Sequence, residues 1–291
     1  MNQSIMPVEI HKVFKESGSR MSVTDSLAVE EPLEIRLEYG SPDARVKKTI
    51  SITMRTPGND FELALGFLFT EGVIQSPGSL EYVEHCGPIL QNARSRNIVR
   101  VGLKEGVEFD LLKLERHFYT SSSCGVCGKT SIEALKQQST YSTELTSEKK
   151  PAIHDRVVHG LPEKLRAKQA VFDSTGGLHA SAIFSLDGDL LLLREDVGRH
   201  NALDKVIGWA YTEKQLPLRS VILLVSGRAS FELVQKASMA GIRIFVAVGA
   251  PSSLAVELAR EVNMTLIGFA RENRFNIYHG AERINLARTI I

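Results

Sequence analysis

Residues 121–131 read SSSCGVCGKTS and hold two of the chain's three cysteines, Cys124 and Cys127. Four chemistries use such residues: a zinc site, a dithiol redox pair, a phosphate-binding loop, and a sulfur nucleophile that carries a group. The phosphate loop fails first. Its signature is G-x-x-x-x-G-K-[ST]. Gly128, Lys129 and Thr130 supply the end, but Ser123 stands at the first position, after a charged, helical-looking segment. A structural zinc wants four ligands. Cys86 is the remaining thiol, and His85, His117, His154 and His159 sit at no matching spacing. A thioredoxin-type dithiol follows a strand and opens a helix. Here a helix and three serines come before, although the motif could open a short helix through TSIEALKQQ. The sulfur nucleophile fits more of the surroundings. Thiolate is the reactive form, and a cation or a helix start favours it; Lys129 and a helix start at 129–131 offer both. Gly125 and Gly128 keep side chains clear of the sulfur, and the serine run reads as an exposed loop.

Other segments carry possible site residues. REDVGRHNALDKVIG (194–208) gathers Glu195, Asp196, Arg199, His200, Asp204 and Lys205 around a helix start, with Asp196 or Asn201 as its cap. That is either a site or a solvated helix end with local ion pairs. SGRAS (226–230) and GAPSS (249–253) each follow an apolar strand and precede a helix. Such places seat anions, Arg228 adds charge, and open α/β sheets bind ligands at the carboxyl ends of their strands. The bland reading is turn and capping chemistry. His179, in STGGLHAS, invites a comparison with zinc deaminases, which use H-x-E and P-C-x-x-C. Position 181 is Ser and Ser123 precedes Cys124, so deamination is excluded.

Elements must position these groups. Residues 1–25 are polar and aperiodic and read as a flexible arm. LEIRLEY (33–39), VKKTISITMR (46–55), LEYVEHC and NIVRVGL alternate like strands. Asn59-Asp60 supply caps for a helix through FELALGFLFTEG, apolar almost all round and therefore buried, with Gly72 as its stop. A helix through DLLKLERHF leads into the serine run, and the polar tract 139–150 reads as a loop. A helix near 161–170 precedes a hairpin, AIFSLDGDLLLL, turning at Asp187-Gly188. Leu203, Val206, Ile207, Ala210 and Tyr211 keep helical spacing. VILLV (221–225), a helix through FELVQKASMAG, IFVAV (244–248), a helix with Leu254, Ala255, Leu258, Ala259 and Val262 on one face, and MTLIGFA form a β-α-β-α-β succession. That implies a parallel layer with right-handed crossovers. The division expected is an arm (1–25), a small α+β domain (26–118), the cysteine loop and helix (119–150), and an α/β domain (151–291).

The totals narrow the class. With 43% hydrophobic and 24% charged residues, the 291-residue chain can bury a core of ordinary soluble type. A net charge of +1 argues against wholesale binding to nucleic acid or membrane. Three cysteines make no disulfide scaffold, and a reducing compartment suits them. No stretch has the length of a signal-peptide core or a membrane span. The expectation is a cytoplasmic globular protein.

SSSCGVCGKTS, EDVGRHNALDK and VSGRASFELVQKASMAGI, in that order, closely resemble the FdhD/NarQ family of formate dehydrogenase accessory sulfurtransferases, over roughly residues 25–285. The resemblance implies a persulfide carrier that takes sulfur from a cysteine desulfurase. The sulfur passes to the molybdenum bis-guanine dinucleotide cofactor (or its tungsten counterpart) before formate dehydrogenase receives it. It implies Cys124 as the persulfide cysteine, with Cys127 either resolving it or steadying the loop. It places a guanine nucleotide, for which GDP can stand in, on Phe269, Ala270, Arg271, Glu272, Asn273 and Arg274, with Arg228 nearby. Glu272 and Asn273 depart from a family segment that can be richer in Gly and Pro, and Glu272 would repel a phosphate unless turned away. The implied fold is a cytidine deaminase-like α/β domain, its mixed or parallel sheet flanked by helices, behind a small α+β unit. Homodimers are implied, and no metal of its own. A zinc-stabilised chaperone of a molybdoenzyme, without chemistry, is the alternative.

Overall fold

The computed structural model describes residues 3–15, 18–88, 96–107 and 152–286. The cysteine motif, the helices expected over DLLKLERHF and TSIEALKQQ, and the tract 139–150 lie outside the described residues.

The amino-terminal residues differ from expectation. Instead of a flexible arm, β1 (Ile5–Val13) and β2 (Arg20–Ala28) pair antiparallel along their whole length. The alternation is diluted by polar residues: Val8, Ile10 and Val23 are half-buried, whereas Glu9, His11, Ser22 and Thr24 face water. Thr24 donates to Glu9 across the ribbon. Such cross-strand polar pairs hold a hairpin that apolar periodicity alone does not announce.

A four-stranded sheet follows in the order β4-β3-β6-β5, from β3 (Glu31–Tyr39), β4 (Val46–Arg55), β5 (Leu80–Cys86) and β6 (Ile98–Leu103). Helix α1 (Asp60–Thr70) is buried nearly all round, as its composition requires. Asn59 occupies the cap position, but its side chain makes no capping bond. Asp60 instead takes a bidentate pair from the fully buried Arg55, at 3.0 Å to each oxygen. A charge-assisted fork outcompetes a single capping bond.

The second sheet has six strands in the order β13-β12-β11-β10-β8-β9. The strands are β8 (His179–Phe184), β9 (Leu190–Asp196), β10 (Ile222–Val225), β11 (Ile244–Ala247), β12 (Thr265–Gly268) and β13 (Asn276–His279). β10, β11 and β12 run parallel, while the β8–β9 hairpin and β13 add antiparallel edges. Leu223 and Val225 point into one core, with α4 (Arg199–Thr212), α5 (Phe231–Met239) and α6 (Ser253–Glu261). Ile222 and Leu224 point into the other, with α2 (Asp155–Arg166). Coverage of both faces is why this strand is apolar without alternation. The helix expected near 161–170 is in fact two, α2 and α3 (Ala170–Thr175). Gly160 and Pro162 hid the first, because both count against a helix interior, yet α2 continues through them. A short parallel pair, β7 (Ile153–His154) with β14 (Ile284–Asn285), lies beside this second core.

The two sheets share one core, which runs from Leu33 through α1 and α4 to Leu266. The helices meet at Gly66 and Gly208, where backbone touches backbone. A Cβ on Gly66 would lie 1.9 Å from the Asp204 carbonyl oxygen, and one on Gly208 1.8 Å from that of Glu62. Only a residue without a side chain fits either position.

Candidate functional site

The segment 194–205, read as either a site or a solvated helix end, is mostly a buried clamp. Arg194 forks onto Glu62 of α1. The Glu195 carboxylate accepts from the N–H groups of Val171 and Phe172, tying the start of α3 to β9. Burial pushes its pKa up despite those bonds. Asp196, fully buried, pairs with Lys205 at 2.7 Å and accepts from the amides of Thr56 and Gly198 and from Asn201. Neither Asp196 nor Asn201 caps α4 in the ordinary way; Gly198 holds that position without a side-chain cap. Asn201 and Lys205 donate onward to the carbonyls of Met54 and Thr56. Asp204 accepts from Thr70 and from Lys236, whose Nζ lies 3.0 Å from both its oxygens. Burial alone would push Lys236 down, but the Asp204 and Glu71 carboxylates outweigh it and hold the ammonium above the usual lysine range. These groups join the two sheets. Their partners Thr56, Thr70 and Lys236 carried no signal in the sequence, because nothing in its periodicity says which threonine a distant carboxylate will reach.

The loops at the carboxyl ends of β10, β11 and β12 do lie together. Gly249 N–H donates to the Gly227 carbonyl and Ala229 N–H to that of Ala250. Phe269 N–H donates to the Gly249 carbonyl. Gly249 is required by this contact, since a Cβ there would lie 2.9 Å from the Gly227 oxygen. Much of the polar chemistry in these loops serves the fold. Ser226 Oγ accepts from Ala180 N–H at 2.9 Å, and Ser230 and Ser252 cap α5 and α6. Capping is the bland reading of SGRAS and GAPSS, and it holds for these serines.

The residues of FARENR divide. Ala270 is fully buried and its N–H donates to the Ala247 carbonyl. Arg271 turns back, its guanidinium donating to the carbonyls of Val248 and Ala270, and its N–H donates to the Arg274 carbonyl. Phe269, Glu272, Asn273 and Arg274 are exposed, as is Arg228 across the edge. Phe269 holds a φ of 53°, a left-handed conformation that bulky residues seldom adopt. Strain of this kind persists where the surroundings fix it, and it gathers at functional sites. Here it presents an aromatic face to water.

Beside these loops, between them and α2–α3, opens a cleft of about 640 Å³. Arg166, Phe172, His179, Ser226, Val248 and Arg271 line it. Arg228 and Phe269 are not among its lining residues and sit outside it on the same sheet edge. The Arg166 guanidinium lies 4.3 Å over the Phe172 ring. His179 is half-buried, and burial first, then Arg199 and His200, push its pKa below the ordinary histidine value. Sequence reading had met His179 only in the comparison with deaminases. Next to it, His200 Nε2 contacts Glu232 at 2.7 Å, with Ser230 Oγ at 3.5 Å.

The comparison that decides identity covers almost the whole of both sheets: the model of the FdhD/NarQ family matches residues 28–285. The chain belongs to the FdhD/NarQ family. It is 50% identical over 272 residues to the sulfur carrier protein FdhD of Mycolicibacterium paratuberculosis, covering 92% of this chain and 95% of that one. It is 43% identical over 285 residues to the protein of the same name from Sulfolobus acidocaldarius, covering 97% and 99%. A crystal structure of a proposed formate dehydrogenase accessory protein from Desulfotalea psychrophila matches with a TM-score of 0.69 at 21% identity, covering 97% of this chain and 99% of that one. At that identity the likeness speaks for the fold: mixed α/β, with several sheets flanked by helices. No described helix is long and apolar enough to cross a membrane.

Proposed function

We propose that the protein is a sulfur carrier serving a formate dehydrogenase. It accepts sulfur from a cysteine desulfurase as a persulfide on Cys124. It then passes that sulfur to the molybdenum bis-guanine dinucleotide cofactor, its substrate, before the cofactor enters the dehydrogenase. The observation that carries the reading is the CGVC motif in a chain half identical, over nearly full length, to a relative named a sulfur carrier protein.

The chemistry is thiol–disulfide exchange. The Cys124 thiolate attacks the outer sulfur of the donor persulfide, the donor S–S bond breaks, and the donor cysteine leaves as thiolate. If Cys127 resolves the product, its thiolate attacks Cys124 Sγ and the outer sulfur leaves as hydrosulfide. The two electrons gained by that sulfur come from the cysteine pair, which becomes a disulfide. The cofactor's nucleotide end has groups of the right kind at the sheet edge. Exposed Arg228 and Arg274 can fork onto phosphate oxygens, and exposed Phe269 can stack on a base. Ala270 and Arg271 act there by shaping the turn, since one is buried and the other is held by carbonyls.

A formate dehydrogenase produced alongside the Cys124→Ala variant tests the proposal. The enzyme should be inactive while keeping its metal and nucleotide content. Activity equal to that obtained with the wild-type chain would overturn it.

A further inference from the structure

The cleft beside the loops contains a histidine that the fold leaves unused. His179 opens β8 opposite Asp196 and lies half-buried against Gly227, whose missing side chain leaves room for its ring. Its neighbours are spoken for: Ser226 is tied to Ala180, Asp196 to Lys205, and His200 to Glu232. Among the described residues nothing hydrogen-bonds to the His179 ring. An imidazole with no structural duty, on the wall of a cleft, has both nitrogens available to whatever the cleft holds.

We infer that His179 is the residue that takes up a proton from the sulfur delivered to an acceptor bound in this cleft; the inference rests on the sulfur-carrier reading. Hydrosulfide that becomes a sulfido ligand of a metal must lose its proton. His179 accepts that proton on a ring nitrogen and becomes imidazolium. No electrons move in this step, because the sulfur was already reduced by the cysteine pair, and solvent at the cleft mouth takes the proton afterwards. The charges around the ring suit a base that must not keep its proton. Arg199 and His200 face it from α4, Arg166 and Arg271 line the same cleft from α2 and the β12–β13 loop, and Asp196 on β9 is neutralised by Lys205. Burial with Arg199 and His200 already holds the imidazole neutral below the ordinary histidine midpoint, so the accepting form is present at neutral pH.

The test separates loading from transfer. Wild type, His179→Gln and His179→Ala are loaded with a cysteine desulfurase and cysteine, and the persulfide is measured by intact mass. Transfer to the isolated molybdenum bis-guanine dinucleotide cofactor is then followed by the formate dehydrogenase activity it confers, across a range of pH. Expected are equal loading in all three proteins, transfer slowed about 100-fold in both variants, loss of the acid limb of the rate profile, and recovery of His179→Ala by added imidazole. Equal transfer by wild type and His179→Gln with the same pH profile overturns this inference and leaves the sulfur-carrier reading standing. A wild type that takes no persulfide brings down both. Should either substitution unfold the chain, a nitrogen-15 titration of the wild-type ring decides. A His179 midpoint at or above about 6.5, the ordinary value, is incompatible with the role.

Discussion

Alanine at Gly208 should destabilise the protein strongly, although alanine is the better helix former. On propensity alone, Gly→Ala inside a helix gains about 1 kcal/mol. At Gly208 the new Cβ would lie 1.8 Å from the Glu62 carbonyl oxygen, and at Gly66 1.9 Å from that of Asp204. Both obstacles are backbone, so no side chain can swing away, and α1 and α4 must separate. Overpacking a core costs about 1–3 kcal/mol, and more when the backbone itself must move. A cost of about 3 kcal/mol less the propensity gain leaves a net loss of about 2 kcal/mol or more. For a fold of this size that lowers the melting temperature by about 4–8 °C. Gly160 is the internal control: it sits inside α2 with nothing within 4 Å of a new Cβ. Gly160→Ala should stabilise by about 0.5–1 kcal/mol. Thermal and urea unfolding of Gly66→Ala, Gly208→Ala and Gly160→Ala, side by side, give the three signs. Stabilisation by alanine at Gly66 and Gly208 would refute the helix contact and with it the shared core.

Lys205→Met leaves the Asp196 carboxylate buried and unpaired, so urea unfolding should show a loss of about 3–5 kcal/mol. Chiefly through its bond from His200, the Glu232 carboxyl is held below the usual glutamate range. A depressed folded value means its stabilisation is complete above the unfolded value, about 4.3, and is lost as pH falls through the folded one. Glu232→Gln should therefore flatten the stability profile in that acid window and leave its slope above it unchanged. GDP should bind the wild type and not be matched by an adenine nucleotide. Arg228→Ala and Arg274→Ala should each weaken it about tenfold or more, from about 1.5–3 kcal/mol per charge-assisted contact; calorimetric titration showing no change in either variant removes the sheet edge as the nucleotide site.

Much of the fold was legible because its signals are local. The apolar run of β10, the all-round apolar face of α1 and the Asp187-Gly188 hairpin follow from burial and turn chemistry within a few residues. The hairpin of residues 5–28 was hidden because its strands alternate polar with polar, and α2 because its interior carries Gly160 and Pro162. The edge loops were found by their place after strands. What sequence could not give was the division of labour within them. Ser226, Ser230 and Ser252 look like ligand hydroxyls in isolation, and only the fold shows them accepting from backbone amides. Ala270 looked no different from its neighbours until its burial was seen. The charge cluster 194–205 shows the same limit: its six ionisable groups were visible, but the threonines and lysine that complete the clamp lie more than 30 residues away in the chain. His179 stood out by type alone, and its place in the cleft depends on β8 meeting β10.

The most direct measurement of the central claim is the intact mass of the chain after incubation with a cysteine desulfurase and cysteine, followed by peptide mapping. The account predicts a gain of one sulfur atom, lost on treatment with a reductant, mapped to Cys124 and absent from Cys124→Ala. An unchanged mass in the wild type, or equal loading in Cys124→Ala, would contradict it.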